Sequence, residues 1–411
     1  MTSDLSSKFA LLGTSLKELQ TLCDREGFPR FAARQMVDWL YAKKVESIDQ
    51  MTNLSLCARA RLAEIAVVGR HAPLLCQTSK DGTKKYLFEV QTPEFSPLTS
   101  TPQPKPNSQL SILNSQLSIS PAPAHSSPKL GEVPQRGGGV CPTPQLSTLN
   151  SQLSTPFVES VYIPDGGRAT LCVSSQMGCK MGCRFCVTGQ QGFHGNLSAA
   201  DILNQIISIP ETDSLSNIVF MGMGEPMDNL DAVLAATEVL TAPWGLGWSP
   251  KRITVSTVGV IPGLKRFLDE SQCHVAVSLH NPFADERLDI MPMQKAYPIA
   301  DVIALLRQYD WSGQRRISFE YTMFRRMNDD TRHAAELVRL LRGLNCRVNL
   351  IRFHASPDIP FQTSSPQTMS RFRDYLNAHG ITCTIRASRG EDIMAACGLL
   401  AGQRHLSADD Q

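Results

Sequence analysis

Three cysteines stand close together in the segment Cys172-Val-Ser-Ser-Gln-Met-Gly-Cys179-Lys-Met-Gly-Cys183-Arg-Phe-Cys186. Thiolates spaced Cys-x3-Cys-x2-Cys can wrap one iron–sulfur cube, and Gly178 and Gly182 let the backbone bend closely around it. A four-iron cube ordinarily takes four cysteines, so this triplet leaves one iron open. An open iron can chelate the amino and carboxylate groups of S-adenosylmethionine (SAM) and pass an electron into its sulfonium. A deoxyadenosyl radical results, the hard chemistry being the cofactor's. Two other readings stay open. A structural zinc site wants Cys-x2-Cys pairs at two separated places, and a second pair is missing. Cys172, just upstream, would as a fourth ligand turn the cube into a plain electron-transfer centre.

The triplet follows a strand-like run, Ala169–Val173. Further apolar, β-branched runs come at Asn217–Met221, Arg252–Ser256, His274–Leu279, Ile317–Tyr321, Val348–Phe353 and Thr382–Ile385. Helical patterns lie between them at Ser198–Ile207, Leu230–Leu240, Ile299–Tyr309, Thr331–Leu341 and Met369–His379, with Ser198 and Asn229 as caps. Such alternation predicts parallel βαβ units in a barrel or partial barrel, with chemistry at the carboxyl ends of the strands. Residues 1–92 read as an independent small domain. It has helices around Leu16-Leu19-Leu22, from Phe31 to Leu40 and from Leu56 to Ile65, then an Asp81-Gly82 turn and a strand at Lys84–Val90. Residues 93–155 are rich in Pro, Ser, Gln and Thr and repeat Asn-Ser-Gln-Leu-Ser at Asn107, Asn114 and Asn150. They read as a disordered insertion, with too little apolar surface to order itself. Closing so long a loop costs only a few kcal/mol, so the flanking strands can still pair across it.

The 411 residues, 42% of them hydrophobic, suffice for one large core and a smaller accessory domain. Without a bilayer-length apolar run or a signal-peptide pattern after Met1, a cytoplasmic location is expected. A net charge of +2 neither predicts nor excludes RNA binding. Twelve cysteines in a reducing compartment are not a disulfide framework.

Further motifs follow in one order: Val158-Glu159-Ser160-Val161-Tyr162-Ile163-Pro164, Thr170-Leu171-Cys172-Val173-Ser174-Ser175-Gln176, Met221-Gly222-Met223-Gly224-Glu225-Pro226, Ser256-Thr257-Val258-Gly259, Ser278-Leu279-His280, and Arg389-Gly390-Glu391-Asp392 with Ala396-Cys397-Gly398. Together they resemble the RlmN/Cfr family of radical SAM RNA methyltransferases, and its RlmN branch in particular, loosely over 1–92 and closely over 157–402. The resemblance implies an α/β fold, a radical SAM partial (β/α)6 barrel with a small N-terminal, mainly helical accessory domain. The parts are then an RNA-binding accessory domain (1–92), the insertion (93–155), the barrel with a C-terminal catalytic cysteine segment (156–402) and a tail (403–411). Cys179, Cys183 and Cys186 would bind a [4Fe–4S] cluster. Gly224 and Glu225 would meet the amino group of SAM, and Ser256, Ser278, Leu279 and His280 would line the SAM pocket. His354 stands where the family has Asn and would share a hydrogen bond with SAM. Cys397 would carry the methyl group, Cys172 would be the resolving cysteine and Glu159 the proton acceptor.

The implied reaction is methylation of C2 of an adenine in 23S ribosomal RNA, as protein-poor or precursor RNA, and also in tRNA, with two SAM per turnover. A monomer without membrane attachment and an electron donor such as flavodoxin complete the expectation. C2 of adenine is electron-poor, so direct displacement on SAM cannot methylate it, whereas a thiolate can take the methyl group first. Removing the ring proton then needs a base. Freeing the product needs a second thiolate and leaves a disulfide. Three alternatives remain: a Cfr-like adenine-C8 methyltransferase, an iron–sulfur electron carrier, and a SAM-binding RNA chaperone without turnover. Taken singly, Cys172 and Cys397 read as small buried residues, Glu159 as a solvated strand residue and His280 as a satisfied strand-end histidine.

Overall fold

Short β-branched runs separated by amphipathic stretches fold as strand–helix units here, because each strand buries both faces and each helix covers one of them. A computed structural model of the chain describes residues 8–90, 157–355, 359–396 and 398–400. The expected insertion at 93–155, the tail at 403–411 and Cys397 lie outside those residues.

The chain begins with β1 (Phe9–Ala10), the helices α1 (Leu16–Glu26), α2 (Phe31–Val37) and α3 (Leu56–Ile65), and β2 (Ala66–Val67), which pairs in parallel with β1. α1 opens on a reciprocal cap: the Glu18 N–H donates to Ser15 Oγ and the Ser15 N–H to the Glu18 carboxylate. A hairpin of β3 (Leu75–Thr78) and β4 (Lys84–Glu89) follows, then β5 (Phe157–Asp165) and β6 (Arg168–Cys172). β4 and β5 pair antiparallel from Lys84↔Tyr162 to Glu89↔Phe157, so the strands flanking the insertion do meet. The cysteine segment lies between β7 (Gln176–Gly178) and α4 (Val187–Gln190), and β8 (Phe193–Asn196) returns to pair with β7.

Then come α5 (Ala199–Ile207), β9 (Asn217–Phe220), α6 (Leu230–Thr241), β10 (Ile253–Thr257), α7 (Ile261–Glu270), β11 (His274–Ser278), α8 (Ala284–Ile290), α9 (Ile299–Leu306), β12 (Ile317–Met323), α10 (Thr331–Leu341), β13 (Arg347–Arg352), α11 (Pro366–Ala378) and β14 (Thr382–Ile385). β6 and β9 to β14 are parallel neighbours in sequence order, which is the expected partial α/β barrel. β5, β4 and β3 extend the same sheet antiparallel from the β6 side.

Two expectations change in detail. The hairpin assigned to an independent N-terminal domain is part of the barrel's sheet. The N-terminal helices also share the barrel's apolar core: Leu11, Leu22 and Tyr41 belong to one contiguous cluster with Ile202, Leu240 and Val255. Polar contacts seal the same joint, as where the His71 N–H donates to Asn204 Oδ1 at 2.9 Å. Among the described residues the two parts therefore form one compact unit.

Candidate active site

The cysteine loop is held by the β7–β8 ladder. The Cys179 N–H donates to Gly192 O at 2.8 Å, and a Cβ on Gly178 (φ 73°) would stand 1.9 Å from that same oxygen, so only glycine fits. The loop packs on α8: the Arg184 N–H donates to Ile290 O at 3.0 Å, and Met181 and Cys183 share an apolar cluster with Ile290, Met291 and Phe324. Cys179 and Cys186 pack against that cluster, whereas Cys172 belongs to the main core. Burial pushes the Cys179 thiol up to about 12. Burial, then the charges of Cys186 and Cys179, push the Cys183 thiol well above its ordinary range, while Arg287 pulls it down.

Among the described residues no three His, Cys, Asp or Glu side chains converge as a single metal ion requires. The donor chemistry nevertheless suits an iron–sulfur cube. Three thiols on one half-buried loop need cationic iron to ionise together. The neighbouring Arg287, completely buried, donates to carbonyl and amide oxygens and has no carboxylate partner among the described residues.

The residues expected to meet SAM lie at the carboxyl ends of successive strands. Gly224 follows β9 with φ 96°, and a Cβ there would come within 2.7 Å of Gln176 N. The buried Glu225 carboxylate is engaged by backbone, accepting from the Val258 N–H at 2.9 Å and the Met227 N–H at 3.2 Å. Burial raises it to about 7. Ser256 Oγ donates to Phe220 O at 2.6 Å. Leu279 is wholly buried, and the carbonyls of Ser278 and Leu279 accept from Arg287. His280 has φ 55°, accepts through Nδ1 from the Thr322 N–H at 2.9 Å and meets the Phe185 ring edge-on at 4.8 Å. Burial, then the charge of Arg287, hold it neutral, down to about 3. An accepting Nδ1 leaves the proton on Nε2.

A cavity of about 240 Å³ opens at the same end of the barrel, lined by Cys172, Met221, Arg352, His354, Arg386 and Ala396 among others. Of the seven residues expected to meet SAM, His354 is the one lining it; its Nε2 lies 3.1 Å from Ser388 Oγ. Ala395 and Ala396, which precede Cys397, line this cavity beside Cys172. On the other side of Cys397, Gly398 O accepts from the Val187 N–H at 2.8 Å and Leu400 O from Thr188 Oγ1 at 2.6 Å, both just past the cysteine triplet. Glu159 shares the sheet face of Cys172, since Val161 pairs with Cys172 and side chains two apart point the same way. It is buried and ion-paired with buried Lys85 at 3.1 Å, not solvated as its strand position alone suggests.

Sequence reasoning missed Lys85, Arg287 and Asn328. Asn328 is fully buried and its amide nitrogen donates to His280 O and Thr322 O. Arg287 carries one local signal, its place shortly after Ser278-Leu279-His280 on a helix that returns over the strand ends.

A parallel partial barrel with a three-cysteine loop directly after its first parallel strand is the architecture of a radical SAM enzyme, and residues 173–338 match the Radical SAM superfamily. Residues 9–68 match the ribosomal RNA large subunit methyltransferase N-terminal domain. The chain is 49% identical over 400 residues to a probable dual-specificity RNA methyltransferase RlmN of Parabacteroides distasonis, covering 97% of this chain and 98% of that one. A relative with the same name from Porphyromonas gingivalis is 48% identical, over 100% and 98% of the two chains. The crystal structure of a radical SAM methyltransferase from Sphaerobacter thermophilus superposes with a TM-score of 0.77 at 33% identity, over 96% of this chain and 100% of that one. The chain belongs to the RlmN family of radical SAM enzymes, whose cofactors are a [4Fe–4S] cluster and SAM.

Proposed function

We propose that this protein methylates C2 of an adenine in 23S ribosomal RNA and in tRNA, using two SAM per turnover. The observation that carries the reading is the shared cavity: Cys172 and the residues leading into Cys397 line it, and the residues after Cys397 bond to the stretch that follows the cysteine triplet. The relatives' names support an RNA substrate, their dual specificity supports two kinds of RNA, and RlmN rather than Cfr supports C2 over C8.

Cys179, Cys183 and Cys186 would hold the cluster, and Cys172, in the main core, is left for other work. When bound, the cluster and SAM supply a methyl group to Cys397 and the one-electron cleavage that removes a hydrogen from that methyl. Gly224, Glu225, Ser256, Ser278, Leu279, His280 and His354 would orient SAM from the strand ends. The Glu225 carboxylate, which accepts from Val258 and Met227, and its carbonyl, which accepts from the Asp228 N–H, each keep acceptor capacity for the amino group. Cys397 joins its S-bound carbon to C2 of the ring. Glu159 takes the C2 proton. The odd electron left on the adduct would return to the cluster; the Cys172 thiolate then attacks the sulfur of Cys397, the sulfur–carbon bond breaks, the freed carbon takes up a proton to complete the methyl group, and methylated RNA leaves behind a Cys172–Cys397 disulfide, which a cellular thiol reductant reopens.

The accessory helices at 1–92 would grip the RNA while the target base is flipped into the barrel mouth. A flavodoxin-type donor, a monomeric state and a cytoplasmic location complete the proposal; among the described residues no helix is long and apolar enough to cross a membrane. The test is anaerobic reconstitution, incubation with ribosomal RNA and tRNA, and mass spectrometry of the nucleosides, alongside Cys172→Ala. We expect 2-methyladenosine from wild type and a trapped protein–RNA adduct from Cys172→Ala. An 8-methyl product would transfer the protein to the Cfr-like reading, and full methylation by Cys397→Ala would remove the mechanism.

A further inference from the structure

Arg287 is the largest of the fully buried side chains, at 0% exposure. Its guanidinium donates four hydrogen bonds: Nε to Leu279 O at 3.0 Å, Nη1 to Gln294 Oε1 at 2.6 Å, and Nη2 to Ser278 O at 2.9 Å and Val258 O at 3.0 Å. All four acceptors are neutral. Val258, whose carbonyl Arg287 holds, belongs to the same buried cluster as Cys183. A fully buried cation is costly unless an anion compensates it, and hydrogen bonds to carbonyls recover only part of that cost. Arg287 therefore calls for a negative group in the space next to Cys183.

The cysteine loop is built against the helix that carries Arg287. The Arg184 N–H bonds to Ile290 O at 3.0 Å and Arg184 Nη1 to Asp289 O at 3.1 Å. The surroundings are apolar, with Met181, Val258, Ile290, Met291 and Phe324 in one buried cluster, so a charge there is weakly screened. A cube bound by three thiolates is net negative, and becomes one unit more negative when it takes up an electron. A fixed cation beside it favours the reduced form more than the oxidised one.

We propose that Arg287 is the resident counter-ion of the cluster held by Cys179, Cys183 and Cys186, a positioning residue that acts through Cys183 to raise the cluster's reduction potential toward what its electron donor can reach. The proposal rests on the assignment of those three cysteines as ligands. Arginine suits the task because its fork satisfies the carbonyls of two strand ends while its charge stays on in a buried site.

The test is an EPR-monitored redox titration of reconstituted holoenzyme, comparing wild type with Arg287→Gln and Arg287→Lys, with SAM binding measured separately. The glutamine variant should make reduction less favourable by about tenfold, which for a one-electron couple is about 59 mV. The lysine variant should stay near the wild-type potential even if it unfolds more easily. An unchanged potential in Arg287→Gln overturns the proposal, as do equal shifts in both variants, since packing rather than charge would then be the cause. Weaker SAM binding at an unchanged potential overturns it too, assigning the guanidinium to SAM's carboxylate. Should Arg287→Gln fail to fold, Arg287→Lys decides: a wild-type potential supports the counter-ion role and a tenfold less favourable reduction ends it. If wild type assembles no four-iron signal, the ligand assignment fails first, a result distinct from all of these.

Discussion

Arg352, Arg386 and Arg389 around the Cys172 cavity each sit beside a carboxylate, Glu391 at 4.0 Å, Glu320 at 3.5 Å and Asp165 at 3.2 Å. Arg287, beside the cysteine loop, bonds to neutral oxygens. Arg352 and Arg389 and their carboxylate partners are partly open to water, so an arriving phosphate can take over from a carboxylate there at little cost, whereas Glu320 beside Arg386 is buried. A sealed, unpaired arginine has no such exchange and must face an anion that stays. Under the proposed function the cavity half meets a transient polyanion, the RNA, and the loop half a resident anion, the cluster.

The comparison breaks most completely at Cys183. Cys183→Ala should bind no iron–sulfur chromophore after anaerobic reconstitution and yield no methylated adenosine; a wild-type absorbance spectrum would show that the cube is held elsewhere. In the cavity half, Glu159→Gln should slow product formation by about 10²–10⁴-fold, the usual worth of a general base. Cluster absorbance and methylation of Cys397, followed by peptide mass spectrometry, should be unaffected. Unimpaired turnover would assign Glu159 to structure alone.

A smaller effect is expected at its partner. Lys85→Met leaves a buried carboxylate without its cation and should lower unfolding free energy by roughly 3–5 kcal/mol in urea titrations. Combining it with Glu159→Gln should cost less than the two changes summed, because the double variant has no stranded charge. Strict additivity would mean that the pair is not coupled.

The mildest test concerns the neutral histidine of the loop half. His280 falls from its ordinary 6.5 to about 3, so between those values the unfolded chain binds a proton that the folded chain refuses. Its share of stability is complete above about pH 6.5 and is lost on acidification, roughly 2–3 kcal/mol by about pH 4.5 at 1.36 kcal/mol per unit. Glu225 works against it. Raised from 4.5 to about 7, it stabilises the folded state below that window and loses the contribution as pH rises through about 7. The difference between wild type and His280→Asn isolates the histidine, since asparagine tolerates the positive φ of 55°. Identical acid unfolding of the two proteins would show that His280 titrates normally.

Much of the barrel was legible in the chain. The run Ala169–Val173 appears as Arg168–Cys172, and the other expected strands also fall within a residue or two of β9 to β14, since alternating buried and connecting segments leave a strong periodic signal. Helices Ile261–Glu270 and Ala284–Ile290 escaped notice. The first carries Pro262 and Gly263 in its opening turn, where a proline is tolerated but the local pattern reads as a break. The second is two turns long and is held by the buried Arg287, whose partners lie on other elements.

The order of cysteines, glycines and strand-end motifs determined by itself the chemistry that the chain is equipped for, because ligand spacing and positive-φ turns are local properties written in adjacent residues. The tertiary structure alone decided which charges are paired. Lys85 with Glu159, Arg386 with Glu320, and Arg287 with no carboxylate among the described residues are contacts between distant segments, and only packing sets the local dielectric that gives each of them its energy.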